Sequence, residues 1–197
     1  MKKVLTALLS ISCILTYAAD LYVFPGGSSP NFSSIHTAVN SASDGDRVLV
    51  APGTYVENVV LPAVDITIVP LADGDNYTIA GDFDVIASND GKTYTIVGAI
   101  IQGDFNEANA TQNCNLTVLN ELNIINCEFT NDFRPYNCLI TNIYYSSFEA
   151  GSSNYIFNGM FKEIIGNTFI NNSTSEKYII NNIIYNNVSL GSNLLYP

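Results

Sequence analysis

Carboxylates crowd one stretch of this chain. Asp73, Asp75, Asp82 and Asp84 fall close together, with Asp90 and Asp104 further on. Calcium is held by about six to eight oxygen ligands, and such a group supplies several. The four aspartates 73, 75, 82 and 84 are therefore the candidate metal ligands. Calcium is the one cofactor the sequence suggests, and nothing requires one. Their spacing matches no EF-hand loop, and Asp73-Gly74-Asp75-Asn76 and Gly81-Asp82 also read as ordinary turns. Solvated corners are the alternative reading. A second set, Asp104, Asp132, Arg134 and Lys162, has the residue types of a reaction centre. Two carboxylates in one cleft supply an attacking group and an acid. Alternatively an arginine or lysine of this set acts as a general base. A third set, Tyr144, Tyr145, Tyr155, Tyr178 and Tyr185, offers a stacking platform for sugar rings, against the alternative of aromatic packing in and around a core.

Other chemistries fall away. The only histidine is His36, in a segment that reads as a helix with this residue exposed, which disfavours a zinc site or a serine triad. The net charge is −11, and only Arg47, Lys92, Arg134, Lys162 and Lys177 are basic after residue 3. Nucleic acid requires clustered cations to displace counterions from phosphates, so it is excluded as a partner.

The positioning elements begin after a segment that does not read as fold. Lys2 and Lys3 precede an apolar run from Val4 to Thr16, followed by Ala18 and Ala19. That is the layout of a secretory signal peptide and too short for a membrane span. The expected organisation is a signal peptide over 1–19 and one domain over 20–197. The protein is then secreted or held at the cell surface, with no transmembrane segment. Cys114, Cys127 and Cys138 remain beyond the leader. Cys114 and Cys138 are separated by about one coil of the repeat below and form a candidate disulfide, with buried reduced thiols as the alternative.

The repeat is short. Ile124-Ile-Asn-Cys-Glu-Phe129, Ile143-Tyr-Tyr-Ser-Ser-Phe148, Ile164-Ile-Gly-Asn-Thr-Phe169 and Ile183-Ile-Tyr-Asn-Asn-Val188 align, with last residues 19, 21 and 19 positions apart. Asparagine precedes three of them, at Asn123, Asn142 and Asn182, with Glu163 in the other. A period near twenty holds one turn of a β-solenoid and no helical hairpin. Twenty of the 25 asparagines lie after residue 100. Interleaved with Ile, Phe and Tyr, they suit sharp corners between strands and can stack into a hydrogen-bonded ladder. Earlier, Ser34 precedes apolar residues at Ile35, Ala38, Val39 and Ala42, a short helix over 34–43. Strands are expected at 47–51, 59–61, 66–69 and 93–97. The expected fold is an all-β, right-handed parallel β-helix of about seven coils with a short N-terminal capping helix. Its C-terminal coil is poorly capped, with only Leu194, Leu195 and Tyr196 available to cover it.

Leu21-Tyr-Val-Phe-Pro-Gly-Gly27, Ile35-His-Thr-Ala-Val-Asn40 and Asp44-Gly-Asp-Arg-Val-Leu-Val-Ala-Pro-Gly-Thr-Tyr-Val-Glu-Asn58 resemble the opening of pectin-lyase-like right-handed β-helix proteins. Gly166-Asn-Thr-Phe-Ile-Asn-Asn172 resembles the repeat of that superfamily. The resemblance implies the fold but no single activity, because the superfamily holds lyases, hydrolases, esterases, adhesins and tailspikes. Pectin methylesterases share a glycine-x-tyrosine-x-glutamate stretch, here Gly53, Tyr55 and Glu57. Their chemistry implies two aspartates, a glutamine and an arginine, for which Gln102, Asp104, Asp132 and Arg134 are the available residues. Polygalacturonase chemistry implies an asparagine-threonine-aspartate triplet, but Asn167-Thr168 is followed by Phe169 and no Asp-Asp occurs.

The function expected is a noncatalytic carbohydrate-binding or adhesin-like module with a polysaccharide or glycan partner. The alternatives are a uronate lyase or pectin-esterase-like enzyme, and a structural piece that self-associates through its C-terminal coil.

Overall fold

The computed structural model describes residues 18–86, 91–108, 119–135, 139–149, 156–157 and 160–170. It also describes the strand segments 178–180, 184–185, 188–190 and 194–195. The chain is a parallel β-helix. β1 (Asp20–Val23) and α1 (Ile35–Ser41), the one helix among the described residues, come first, and strands then follow in triplets. The first three triplets are β2 (Asp46–Val50), β3 (Thr54–Tyr55) and β4 (Val59–Leu61); β5 (Ile66–Pro70), β6 (Tyr77–Ile79) and β7 (Phe83–Ile86); and β8 (Thr93–Val97), β9 (Ala99–Ile101) and β10 (Phe105–Ala108). The next two are β11 (Asn120–Ile125), β12 (Glu128–Phe129) and β13 (Phe133–Arg134); and β14 (Leu139–Tyr144), β15 (Ser147–Glu149) and β16 (Ile156–Phe157). The solenoid has about five turns, slightly fewer than the seven or so expected, and five strand triplets are complete by β16. Pairing continues through β17 (Met160–Ile165), β18 (Thr168–Ile170), β19 (Tyr178–Ile180), β20 (Ile184–Tyr185), β21 (Val188–Leu190) and β22 (Leu194–Leu195).

Among the described residues every strand pair is parallel, and strands meet their counterparts one turn away. The first face is the eight-stranded sheet β1-β2-β5-β8-β11-β14-β17-β20. The second runs from β3 to β21, and the third contains β4, β7, β10 and β13, while β16, β19 and β22 form a separate sheet. The period-two alternation of each strand sends one side chain inward and the next outward. Inward columns therefore stack through the molecule. On the first face Val48, Ile68, Ile96, Ile124, Ile143 and Ile164 lie in one register and are all buried. On the third face Val59, Phe83, Phe105 and Phe133 do the same. Phe129 and Phe148, stacked with centroids 4.9 Å apart, meet this column from the second face.

The first three hexamers stand in the register their spacing suggests, with Phe129 opposite Phe148 and Phe148 opposite Phe169. The fourth is displaced by one residue: Ile164 pairs with Ile184 and Thr168 with Val188. A single-residue slip moves every side chain to the other face, so the aligned Ile183 and Val188 are not the equivalents of Ile164 and Phe169. Another irregularity falls between Thr141 and Asn142, whose partners are Phe161 and Glu163, leaving Lys162 as the extra residue.

The N-terminal end is closed by α1, which buries Ile35, Ala38 and Val39. The helix is shorter than the expected 34–43 because Ser34 is its cap and Ala42 is already extended. Glu57 reaches back from the first turn. It accepts from the Ile35 N–H (2.7 Å) and the His36 N–H (3.3 Å) as well as from the Ser34 hydroxyl. Tyr55, nearly buried, donates its hydroxyl to the Ala51 carbonyl (2.9 Å), and burial pushes its phenol up to about 12. The Gly53-x-Tyr55-x-Glu57 stretch is therefore the fastening between cap and solenoid. His36 is half-buried rather than exposed, and its Nδ1 faces the Val60 N–H at 3.3 Å. Glu57→Ala leaves the first turn of α1 without its charged acceptor. It is expected to cost about 2 kcal/mol and to speed amide exchange at Ile35 and His36 while the rungs stay protected. Unchanged exchange at those two amides would contradict this role.

Candidate functional site

The corner between the first and second faces is turned in one way on four successive coils. Gly98, Asn126, Tyr145 and Gly166 occupy it with φ of 66°, 52°, 52° and 69°. Glycine takes that conformation freely and asparagine tolerates it, whereas for tyrosine it carries strain of about 1–3 kcal/mol. Tyr145 is nonetheless 67% exposed, and its ring lies over Gly166, where a Cβ would meet it at 2.7 Å. Just inside this ridge the next residues form a polar ladder between coils. The Cys127 N–H donates to Ser146 Oγ (3.0 Å), and the Ser146 N–H donates to Asn167 Oδ1 (2.7 Å). At this corner the ladder is a mixed Cys–Ser–Asn one, and the asparagine ladder suggested by composition is found on the first face, where Asn142 bonds to Asn123 of the preceding coil. Cys127 is a buried free thiol that burial pushes up to about 12, so it behaves as a small apolar residue.

A groove lies on each side of the ridge. One, of about 160 Å³, is bordered by Tyr145, Asn76, Asn126, Glu128, Ser147 and Thr168. The other, of about 280 Å³, runs between the outer side of the first face (Leu49, Val69, Val97) and the turn that carries Asp73 and Asp75. Above that groove the alternation leaves an apolar stripe facing outward: Tyr22, Leu49 and Val69, then Val97, Ile125, Tyr144 and Ile165. Beside it runs a polar row of Arg47, Thr67, Thr95, Asn123, Asn142 and Glu163. Asn142 Nδ2 donates to Asn123 Oδ1 (2.9 Å) and to Glu121 Oε1 (2.8 Å), so adjacent coils are cross-linked along this row.

Tyr144 donates its hydroxyl to Glu163. That bond, followed by burial and the charges of Glu163 and Glu121, pushes the phenol up to about 12. Glu163→Gln is expected to return the Tyr144 titration toward the ordinary value of about 10, read by ultraviolet absorbance in alkali. A phenol still raised after this substitution would show that burial rather than Glu163 sets it.

The corner between the second and third faces carries the acids. Asn58, Asp82, Asp104 and Asp132 each stand one residue before the stacked column Val59, Phe83, Phe105 and Phe133. The Asp82 N–H donates to Asn58 Oδ1 (2.9 Å), and the Asp104 N–H donates to Asp82 Oδ1 (2.9 Å). These side chains bond one coil to the next, which accounts for acids at the coil period. Burial, then the charges of Asp82 and Asp104, raise the Asp84 carboxyl above the usual range, opposed by a hydrogen bond with Asn106. Arg134 pairs with Asp132, which is 2% exposed and has a second oxygen with no hydrogen-bond partner. Glycines let the coils close here, since a Cβ on Gly103 would meet the Gly81 backbone at 2.4 Å.

Of the catalytic candidates, Asp104, Asp132 and Arg134 therefore meet at one corner, together with exposed Gln102. Lys162 does not join them, because it is the extra residue of β17 on the first face. An attacking or protonating carboxylate must reach a substrate, and Asp132 is covered. The metal candidates divide, with Asp73 and Asp75 in the turn before β6, Asp82 at the corner after it and Asp84 within β7. Among the described residues, no three His, Cys, Asp or Glu side chains are placed to hold a metal ion. The tyrosines also divide. Tyr144 and Tyr145 are neighbours that point differently, Tyr185 shares the Tyr144 column, and Tyr178 belongs to β19 in another sheet. Tyr155, Cys114 and Cys138 lie outside the described residues. The ridge groove was not legible from residue types, although the left-handed corner at Asn126 follows from asparagine's conformational tolerance.

Together these features define a parallel β-solenoid with a ridge, carrying the exposed Tyr145, between two outward grooves. No family model, curated protein or solved structure matches the chain. Among the described residues, no helix is long and apolar enough to cross a membrane.

Proposed function

We propose that this is a secreted or surface-held, noncatalytic glycan-binding module of the pectin-lyase-like kind, and that the Tyr145 ridge is its binding site. The observation that carries this reading is the strained, exposed Tyr145. A tyrosine held at φ 52° where its neighbours are glycine or asparagine costs stability, and its ring faces outward over a groove edged by Asn76, Asn126, Ser147 and Thr168. An aromatic face beside amide and hydroxyl groups, with the Glu128 carboxylate on the same groove edge, suits a sugar ring, whose C–H face stacks while its hydroxyls bond. The acidic charge of the chain favours neutral glycans over uronates. The burial of Asp132 weighs against the esterase reading, although the meeting of Asp104, Asp132 and Arg134 keeps a hydrolysis assay informative.

The test is a glycan array followed by titration of the best ligand. Tyr145→Ala is expected to weaken binding at least tenfold, about 1.4 kcal/mol, without lowering the unfolding midpoint. Neutral glycans that fail to bind, or bind Tyr145→Ala equally well, would remove the ridge as the site. Product released from pectin or alginate would replace binding by catalysis.

A further inference from the structure

We infer that the leader is removed between Ala18 and Ala19, one residue earlier than a 1–19 signal peptide would imply, and that the freed α-ammonium of Ala19 is received by Asp46. The inference rests on the export reading. Two independent observations converge on this bond. The first is the sequence at the junction. Export peptidases require small residues at the last and third-last leader positions. A cut after Ala18 places Ala18 and Thr16 there, whereas a cut after Ala19 puts the large Tyr17 at the third-last position.

The second is the structure at the start of the solenoid. Asp46 is only 6% exposed, and both its oxygens are engaged by backbone nitrogens: Oδ1 by Ala19 at 2.6 Å and Oδ2 by Ser43 at 2.8 Å. The Ala19 carbonyl accepts from the Arg47 N–H at 2.8 Å, so Ala19 is already locked to the first full rung. Asp20 follows, paired with Arg47 through two hydrogen bonds of 2.8 Å. A cut after Ala19 removes the nitrogen that satisfies Asp46 Oδ1 and leaves a buried carboxylate oxygen without its donor. A cut after Ala18 keeps that nitrogen and gives it a full charge opposite the carboxylate. In the step itself a signal peptidase hydrolyses the Ala18–Ala19 amide. Water supplies the hydroxyl to the Ala18 carbonyl carbon, the C–N bond breaks, and the departing Ala19 nitrogen takes up protons to become the ammonium.

The experiment is expression of the full chain in a secretory host, with intact mass and N-terminal sequencing of the exported protein. A mature chain starting at Ala19 supports the inference. A chain exported but starting at Asp20 or elsewhere overturns it while leaving export intact, and a chain retained with its leader uncut overturns both. The pairing has its own readout, titration of the α-amino group in protein labelled with ¹⁵N-alanine and starting at Ala19. In the folded protein this group is expected to titrate about one unit or more above its ordinary value of roughly 7.7–8.0, and to return there in urea and in Asp46→Asn. Equal values in the folded and urea-unfolded protein would overturn the pairing whether or not the variant folds.

Discussion

Phe105→Ala is expected to lower the unfolding free energy by about 3–5 kcal/mol, the range for emptying a buried phenylalanine site. The ring is fully buried and sits at the meeting of two faces, 5.5 Å from Phe83, 4.9 Å from Phe133 and 5.9 Å from Phe129. Three aromatic contacts are lost at once, each worth about 0.5–1.5 kcal/mol beyond area burial. Phe83 and Phe129 resist closing over the space, because β7 and β12 are each hydrogen-bonded to the coils above and below, while β13, which carries Phe133, pairs with β10 itself. Urea unfolding should show a lower midpoint with an unchanged slope. In a solenoid each coil contacts only its neighbours, so the loss should also localise. Amide exchange is expected to rise most in β7, β10 and β13. A loss below about 1 kcal/mol would mean that the phenylalanine column is not the core of this end of the molecule.

Arg134→Gln is expected to destabilise by about 3 kcal/mol, the low end of the range for uncovering a buried charge. The low end applies because the Arg134 side chain is 34% exposed whereas that of Asp132 is 3% exposed. Removing the guanidinium strands the Asp132 carboxylate, which already has one oxygen without a hydrogen-bond partner, beneath the corner that also holds Asp104. The double variant Asp132→Asn with Arg134→Gln removes the charge along with its partner and is expected to recover most of the loss. That recovery distinguishes an ion-pair role from simple packing by the arginine stem. If the double variant were no more stable than Arg134→Gln, the stranded charge would not be the cause. A glycan-binding signal that survives in both variants would separate this corner from the Tyr145 ridge.

The sequence by itself determined the architecture. A solenoid sets each coil against its neighbour at a nearly constant offset, so Phe129, Phe148 and Phe169 recur in the chain because successive coils place them in one register. The helical cap was legible for a similar local reason, since Ser34 and the apolar spacing after it act within one turn. What tertiary structure alone decided is where coils slip and which distant groups meet. The extra residue at Lys162 and the one-residue displacement of the last hexamer are set by hydrogen bonding between coils, which no local pattern records. Asp73, Asp75, Asp82 and Asp84 look like one cluster along the chain, yet β6 carries the backbone across a whole face between the two pairs. Asp104, Asp132 and Arg134 look scattered, yet the coil period brings them to one corner. Glu57 and Tyr145 show the same division most sharply. Residue type made one a carboxylate and the other a tyrosine, but only the neighbouring coil made one the clasp of α1 and held the other outward over Gly166.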